Sequence, residues 1–146
     1  MRGEIIWQKS KGANANFAWG SWLSASNPVI RDIHEYCLVF SKDSMKNSSG
    51  GVSTIEKDEF MESTLSIWNI NPEKAKKIGH PAPFPVELPK RFINLYSFKD
   101  DLVLDPFIGS GTTAVASKLM QRNYVGYEIN KDYIEIANKR LQTETS

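Results

Sequence analysis

The chain has 146 residues, a net charge of +1, 40% apolar and 24% charged residues. That length is enough for one domain with a real core, and the near-neutral sum neither marks nor excludes a nucleic-acid binder, because a local basic patch vanishes in the total. Cys37 is the sole cysteine, which excludes an internal disulfide and a cysteine-rich metal site and fits a reducing cytoplasm. No apolar run reaches membrane-spanning length and no charged-then-apolar leader opens the sequence. The expectation is a cytoplasmic protein without a membrane partner.

Glu4–Trp7 (EIIW) predicts a short strand. Residues 10–28 interleave Ser, Ala, Asn and Gly with Phe17, Trp19 and Trp22, a composition that suits a loop more than a helix. Residues 34–41 (HEYCLVFS) predict a second strand, and the unbroken apolarity from Tyr36 to Phe40 points to burial on both faces, as in a parallel sheet. Residues 42–53, with Gly50-Gly51, predict a polar loop. Residues 54–63 are charged and predict a helix, and Ser66-Ile67-Trp68 is a short apolar island.

The four prolines of GHPAPFPVELP (79–89) keep that stretch open until a helix begins near Pro85. Leu88, Phe92, Leu95 and Tyr96 then fall on one face. Leu102–Phe107 predicts a strand, and Thr112 to Gln121 a helix with Ala116, Leu119 and Met120 inward. Tyr124–Ile129 predicts another strand. Asn130 is a good N-cap, Asp132 suits the positive helix end, and Tyr133, Ile136, Ala137 and Leu141 form the buried stripe of a last helix. The C-terminal third is therefore a strand–helix–strand–helix unit with a right-handed crossover.

In such a unit the loop after a strand opens on the carboxyl edge of the sheet, where ligands bind. Gly109 and Gly111 let a ligand approach without a Cβ clash, the first-turn N–H groups of the next helix offer hydrogen bonds, and Glu128 ends the following strand. A glycine turn with an acidic residue about 20 positions later suits a nucleoside, whose ribose hydroxyls a carboxylate accepts. Taken alone, Gly-x-Gly is more often only a tight turn. GSGTTA also fits a dinucleotide pattern, but that fingerprint normally opens its fold, and here one strand follows. A phosphate-binding P-loop needs a Lys that follows neither glycine.

DPFIGSGTTAVAS, YVGYEI and DYIEIANKRL closely resemble the adenosylmethionine-binding motif of amino-group DNA methyltransferases, which methylate adenine N6 or cytosine N4. HPAPFP at 80–85 resembles the element that precedes that motif in the family. GEIIWQK, HEYCLVFSK and the SIW of 66–68 resemble further family segments in the order of the permuted subgroup, whose cofactor motif comes last. The resemblance implies an α/β, Rossmann-like adenosylmethionine-dependent methyltransferase fold, present in part. Residues 1–42 would hold late strands of the catalytic region with an aromatic loop, 43–78 a variable segment suited to target recognition, and 79–146 the cofactor-binding unit. It also implies S-adenosylmethionine as cofactor. Phe107, Gly109, Gly111 and Thr112 would surround its methionine and sulfonium part. Asp105 would anchor the loop or reach the amino group, Glu128 would hold the ribose, Ile129 would pack on adenine, and Pro81, Phe84 and Pro85 would close the other side. His80 is more often structural.

The family's catalytic signature, D/N/S-P-P-Y/F/W, accepts hydrogen bonds from the target amine and stacks on the flipped-out base. Asn27-Pro28-Val29 and Asn71-Pro72-Glu73 lack its second proline and its aromatic residue. Cys37, inside a predicted strand, is expected to be a buried apolar residue and not the nucleophile of a 5-methylcytosine enzyme. The chain thus resembles the C-terminal portion of a restriction-modification methyltransferase, inactive alone, whose partners are double-stranded DNA and an upstream chain carrying the signature. The alternative is a non-catalytic remnant or subunit that binds adenosylmethionine or a protein. Lys9, Lys11 and Arg31 are candidates for phosphate contacts, and Trp19 for stacking on DNA; Trp22 packs more readily on the domain itself. With the central strands missing, two sheet pieces keep unpaired edges, which predicts self-association or a need for that partner.

Overall fold

The computed structural model describes residues 1–9, 23, 25, 28–30, 32–47, 50–73 and 84–145. The chain divides into two compact units, Met1–Lys42 with Leu65–Asn71, and Asp43–Thr64 with Pro72–Ser146.

The first unit is a three-stranded sheet in the order β2-β1-β3. Strand β1 spans Gly3–Gln8, β2 His34–Val39 and β3 Ile67–Asn69. β1 and β2 are antiparallel, with Ile6 opposite Tyr36, while β3 runs parallel to β1 with Trp7 beside Trp68. Side chains alternate between faces along a strand, so Ile5, Trp7 and Trp68 share one face, and all three are buried. The Trp7 indole N–H donates to the Ile70 carbonyl at 2.8 Å, which satisfies the polar handle of a buried ring.

The expectation for β2 needs correction. It pairs antiparallel, and Tyr36 and Leu38 on one face are 61% and 53% exposed. Its apolar run therefore reflects two apolar faces of which one is open. The apolar island at 66–68 is a strand that continues the sheet beyond β1.

In the second unit, α1 spans Lys57–Ser63 and α2 spans Glu87–Tyr96. β4 (Leu102–Asp105), α3 (Thr112–Leu119), β5 (Asn123–Gly126) and α4 (Lys131–Thr143) follow. β4 and β5 pair in parallel, from Leu102 beside Asn123 to Asp105 beside Gly126. This is the expected α/β unit, with each strand shorter at its carboxyl end because Pro106-Phe107 and Tyr127–Ile129 turn into loops.

The core gathers on α3, where Ala114, Val115 and Ala116 are buried, and on Leu88 and Ile93 of α2. The face that the spacing of α2 predicts is borne out in part, with Leu88 buried and Phe92 and Leu95 half-buried. Leu88, Pro89, Ile93 and Asn94 are buried, whereas Tyr96 is exposed. Asn94 can be buried because its amide accepts from the Thr54 hydroxyl at 3.3 Å and donates to Glu59 at 2.8 Å. On α3, Ala116 is inward as expected, but Leu119 is exposed.

Arg122 is a second buried polar staple. It donates to the Ser97 hydroxyl at 3.0 Å, to the Ser97 carbonyl at 2.7 Å and to the Thr54 hydroxyl at 2.5 Å. Burial lowers the guanidinium's proton affinity, and the nearby carboxylates of Asp101 and Asp100 oppose that effect. In α4, Asn130 caps the helix by accepting from the Asp132 N–H at 2.9 Å, as expected. Ala137 is buried on its inward stripe, Tyr133, Ile136 and Leu141 are half-buried, and Arg140 is buried beside them.

A candidate methyl-donor site at the carboxyl edge of the parallel strands

Asp105 ends β4, and its carboxylate accepts from the Phe107 N–H at 3.0 Å, closing a turn over Pro106. Of the two roles expected for Asp105, this contact corresponds to loop anchoring. The loops after β4 and β5 are then zipped together by backbone bonds. The Tyr127 N–H donates to the Asp105 carbonyl at 3.1 Å, and the Ile108 N–H to the Tyr127 carbonyl at 3.0 Å.

Gly109 has φ +52° and Gly111 φ +81°, both in the left-handed region that glycine adopts without strain. At Gly111 a Cβ would also lie 2.7 Å from the Cβ of Ala137 on α4. The turn therefore needs glycine there on two counts, conformation and close helix approach. It delivers the chain into α3 at Thr112, whose first-turn N–H groups have no intrahelical acceptor and carry the helix's partial positive charge.

Glu128 connects the two loops. One carboxylate oxygen accepts from the Gly109 N–H at 3.0 Å, and the other from the Ile129 and Asn130 N–H groups at 2.8 Å each. These bonds fix the orientation of a half-buried carboxylate at the sheet edge, beside the glycine turn. Phe107 is 88% exposed and Ile129 fully exposed on the same pair of loops. Two large apolar side chains held in water next to a fixed carboxylate are costly unless something covers them. A flat apolar base joined to a diol meets both features, so the residues present fit the adenosine part of adenosylmethionine.

The remaining expected residues divide. Thr112 is buried, and its hydroxyl faces Arg140 at 2.9 Å, so its contact lies on the α4 side of the turn. Phe84 is half-buried and Pro85 buried where the chain enters α2, and the Pro85 carbonyl accepts from the Leu88 N–H at 3.1 Å. Pro81 and His80 lie outside the described residues, as do Lys11, Trp19, Trp22 and Arg31. Lys9 is described: its ammonium pairs with Glu35 and sits 5.3 Å from the centre of the Trp7 ring, so its charge has a partner within its own sheet. Burial and the Glu35 carboxylate push the Cys37 thiol above its ordinary pKa, which disfavours the thiolate needed for nucleophilic attack.

Sequence reading missed Arg140. The available signal was a lone cation three positions after Ala137, on the stripe expected to face inward. Among the described residues no group of His, Cys, Asp and Glu is arranged to hold a metal ion, and no helix is long and apolar enough to cross a membrane.

Comparison with known proteins converges on one family. The N6/N4 family model, described as DNA methylase, matches residues 1–139. The type II methyltransferase M.BglI of Bacillus subtilis is 43% identical over 146 residues, covering 94% of this chain and 38% of its own length. M.MthZI of Methanothermobacter thermautotrophicus is 31% identical over 150 residues, covering 94% of this chain and 42% of its own length. TTHA0409 of Thermus thermophilus, solved in complex with S-adenosyl-L-methionine, superposes with a TM-score of 0.65 at 28% identity. That match covers 97% of this chain and 53% of TTHA0409. The chain thus spans about half the length, or less, of these relatives, and its two small sheets are part of their Rossmann-like fold. The chain belongs to the N6/N4 DNA methylase family.

Proposed function

We propose that this chain is the adenosylmethionine-binding part of a DNA methyltransferase that modifies an exocyclic amine, adenine N6 or cytosine N4, of a base flipped out of double-stranded DNA. The observation that carries the reading is the Glu128 carboxylate, fixed by three backbone N–H groups beside the glycine turn. Adenosylmethionine supplies an electrophilic methyl group on a sulfonium centre. Glu128 accepts from the ribose hydroxyls, Ile129 and Phe107 cover apolar surface, and Gly109 lets the methionine part lie against the turn that Gly111 seats on Ala137. Pro81, Phe84 and Pro85 close the far side. The segment 43–78 contributes to target choice, and Lys11, Trp19 and Arg31 meet DNA.

These residues bind and orient the donor. None of the 146 residues forms the D/N/S-P-P-Y/F/W signature that would activate the amine, so transfer requires a segment or partner chain that carries it. The similarity of this chain to type II methyltransferases favours a restriction-modification system as the setting of that whole enzyme.

Glu128→Ala is expected to weaken binding of adenosylmethionine by about 1–3 kcal/mol, because charge-assisted contacts to the ribose are lost. That is roughly 5- to 150-fold in Kd. Calorimetry on the folded variant checks it, with folding verified by circular dichroism. Unchanged affinity in a folded variant would remove Glu128 from the site.

A further inference from the structure

Arg140 lies on α4, 7% exposed, directly behind the glycine turn. One of its terminal nitrogens donates to the Ser110 carbonyl at 3.0 Å and to the Thr112 hydroxyl at 2.9 Å, with the Ser110 hydroxyl at 3.4 Å. The rest of the guanidinium faces Glu144, Nε donating to one carboxylate oxygen at 2.8 Å and the second terminal nitrogen to the other at 3.2 Å. A buried charge is tolerated only when it is paired and its donors are satisfied. Here the pairing is divided, with the counter-ion one helical turn further along α4 and the hydrogen bonds on the turn.

The two strong contacts lie on either side of Gly111. That residue backs onto Ala137, one turn earlier on the same face of α4. Ala137 therefore sets how closely the turn approaches the helix, and Arg140 sets its rotation. The Ser110 carbonyl and the Thr112 hydroxyl are drawn toward α4, while the first N–H groups of α3 have no intrahelical acceptor. A carbonyl rotated toward those groups would repel an anion, whereas helix-start N–H groups attract one.

We infer that Arg140 is a positioning residue of the methyl-donor site, holding the glycine turn so that its donor side receives the carboxylate-bearing amino-acid half of the ligand. This rests on the methyl-donor reading above. It assigns Thr112 a role through Arg140 in place of direct contact with the ligand.

The test compares two ligands by calorimetry on the full chain: S-adenosylhomocysteine, which carries the amino-acid half, and methylthioadenosine, which lacks it. Arg140→Met is expected to weaken S-adenosylhomocysteine by about tenfold or more while methylthioadenosine changes by less than about threefold. Arg140→Lys keeps the charge and loses the fork, so it should show a smaller loss with the same selectivity. It replaces Arg140→Met if that variant does not fold. Equal loss of both ligands, or loss of neither, overturns the inference, because a merely structural arginine would not separate them.

Amide hydrogen exchange at residues 109–114 gives a readout that needs no ligand. In Arg140→Met it should accelerate there and stay unchanged in α2. If the unmodified chain binds neither ligand, the methyl-donor reading fails, and the exchange result alone then upholds or overturns the grip of Arg140 on the turn.

Discussion

The purified chain is expected to transfer no labelled methyl group from adenosylmethionine to DNA, and transfer should appear when a second polypeptide supplies the D/N/S-P-P-Y/F/W segment. An exocyclic amine is a poor nucleophile while its lone pair is conjugated with the ring. Hydrogen-bond acceptors on the amine restore that lone pair, and an aromatic platform holds the flipped base. Neither Asn27-Pro28-Val29 nor Asn71-Pro72-Glu73 offers that set. Positioned proton acceptors contribute on the order of 10²–10⁴ in rate, so the gain on adding the segment should be at least of that order. Incorporation by the chain alone, above a heat-killed control, would show that its own residues activate the amine.

The second large effect concerns the open apolar faces. In β4, Leu102 and Leu104 are 65% and 60% exposed, and β5 brings Val125 to the same face, 38% exposed. In the other unit, Tyr36, Leu38 and Ile67 share an open face across β1. Fully burying one such leucine is worth roughly 1.5–3 kcal/mol, so association through these faces is the expected result.

A fragment carrying the central strands of the family sheet is expected to form a soluble complex with this chain. It should slow amide exchange in both β4 and β2. Leu104→Lys should do opposite things in two assays: increase the monomer fraction of the chain alone, and prevent complex formation with the fragment. A chain that is monomeric without any partner, with β4 and β2 already fully protected, would contradict this, as would a Leu104→Lys variant that still forms the complex.

Much of the site was legible because its signals are local. A strand, a glycine turn and a helix start follow one another within residues 102–114, and Glu128 ends the next strand. Gly111 combines a left-handed backbone with a close approach to Ala137, and both call for glycine. The parts that were misread depend on partners distant in sequence. Asn94 is buried on α2 outside the expected face because Thr54 and Glu59 satisfy its amide, which no periodicity reveals. Arg140 sits on a stripe read as apolar because Glu144 and the turn accept its donors. Apolarity in β2 was read as burial, although sequence reports the chemistry of a face and not whether anything covers it. Lys9, a candidate for phosphate contact, also pairs with Glu35 across the sheet, a contact between residues distant in sequence.

The most direct measurement is a calorimetric titration of the folded chain with adenosylmethionine, S-adenosylhomocysteine and NAD in parallel. Saturable binding of the first two, with NAD at least about tenfold weaker, is the result expected if the glycine turn beside Glu128 holds a methyl donor. Preference for NAD, or no binding of either adenosyl ligand by folded protein, would contradict the assignment of this edge as a methyl-donor site.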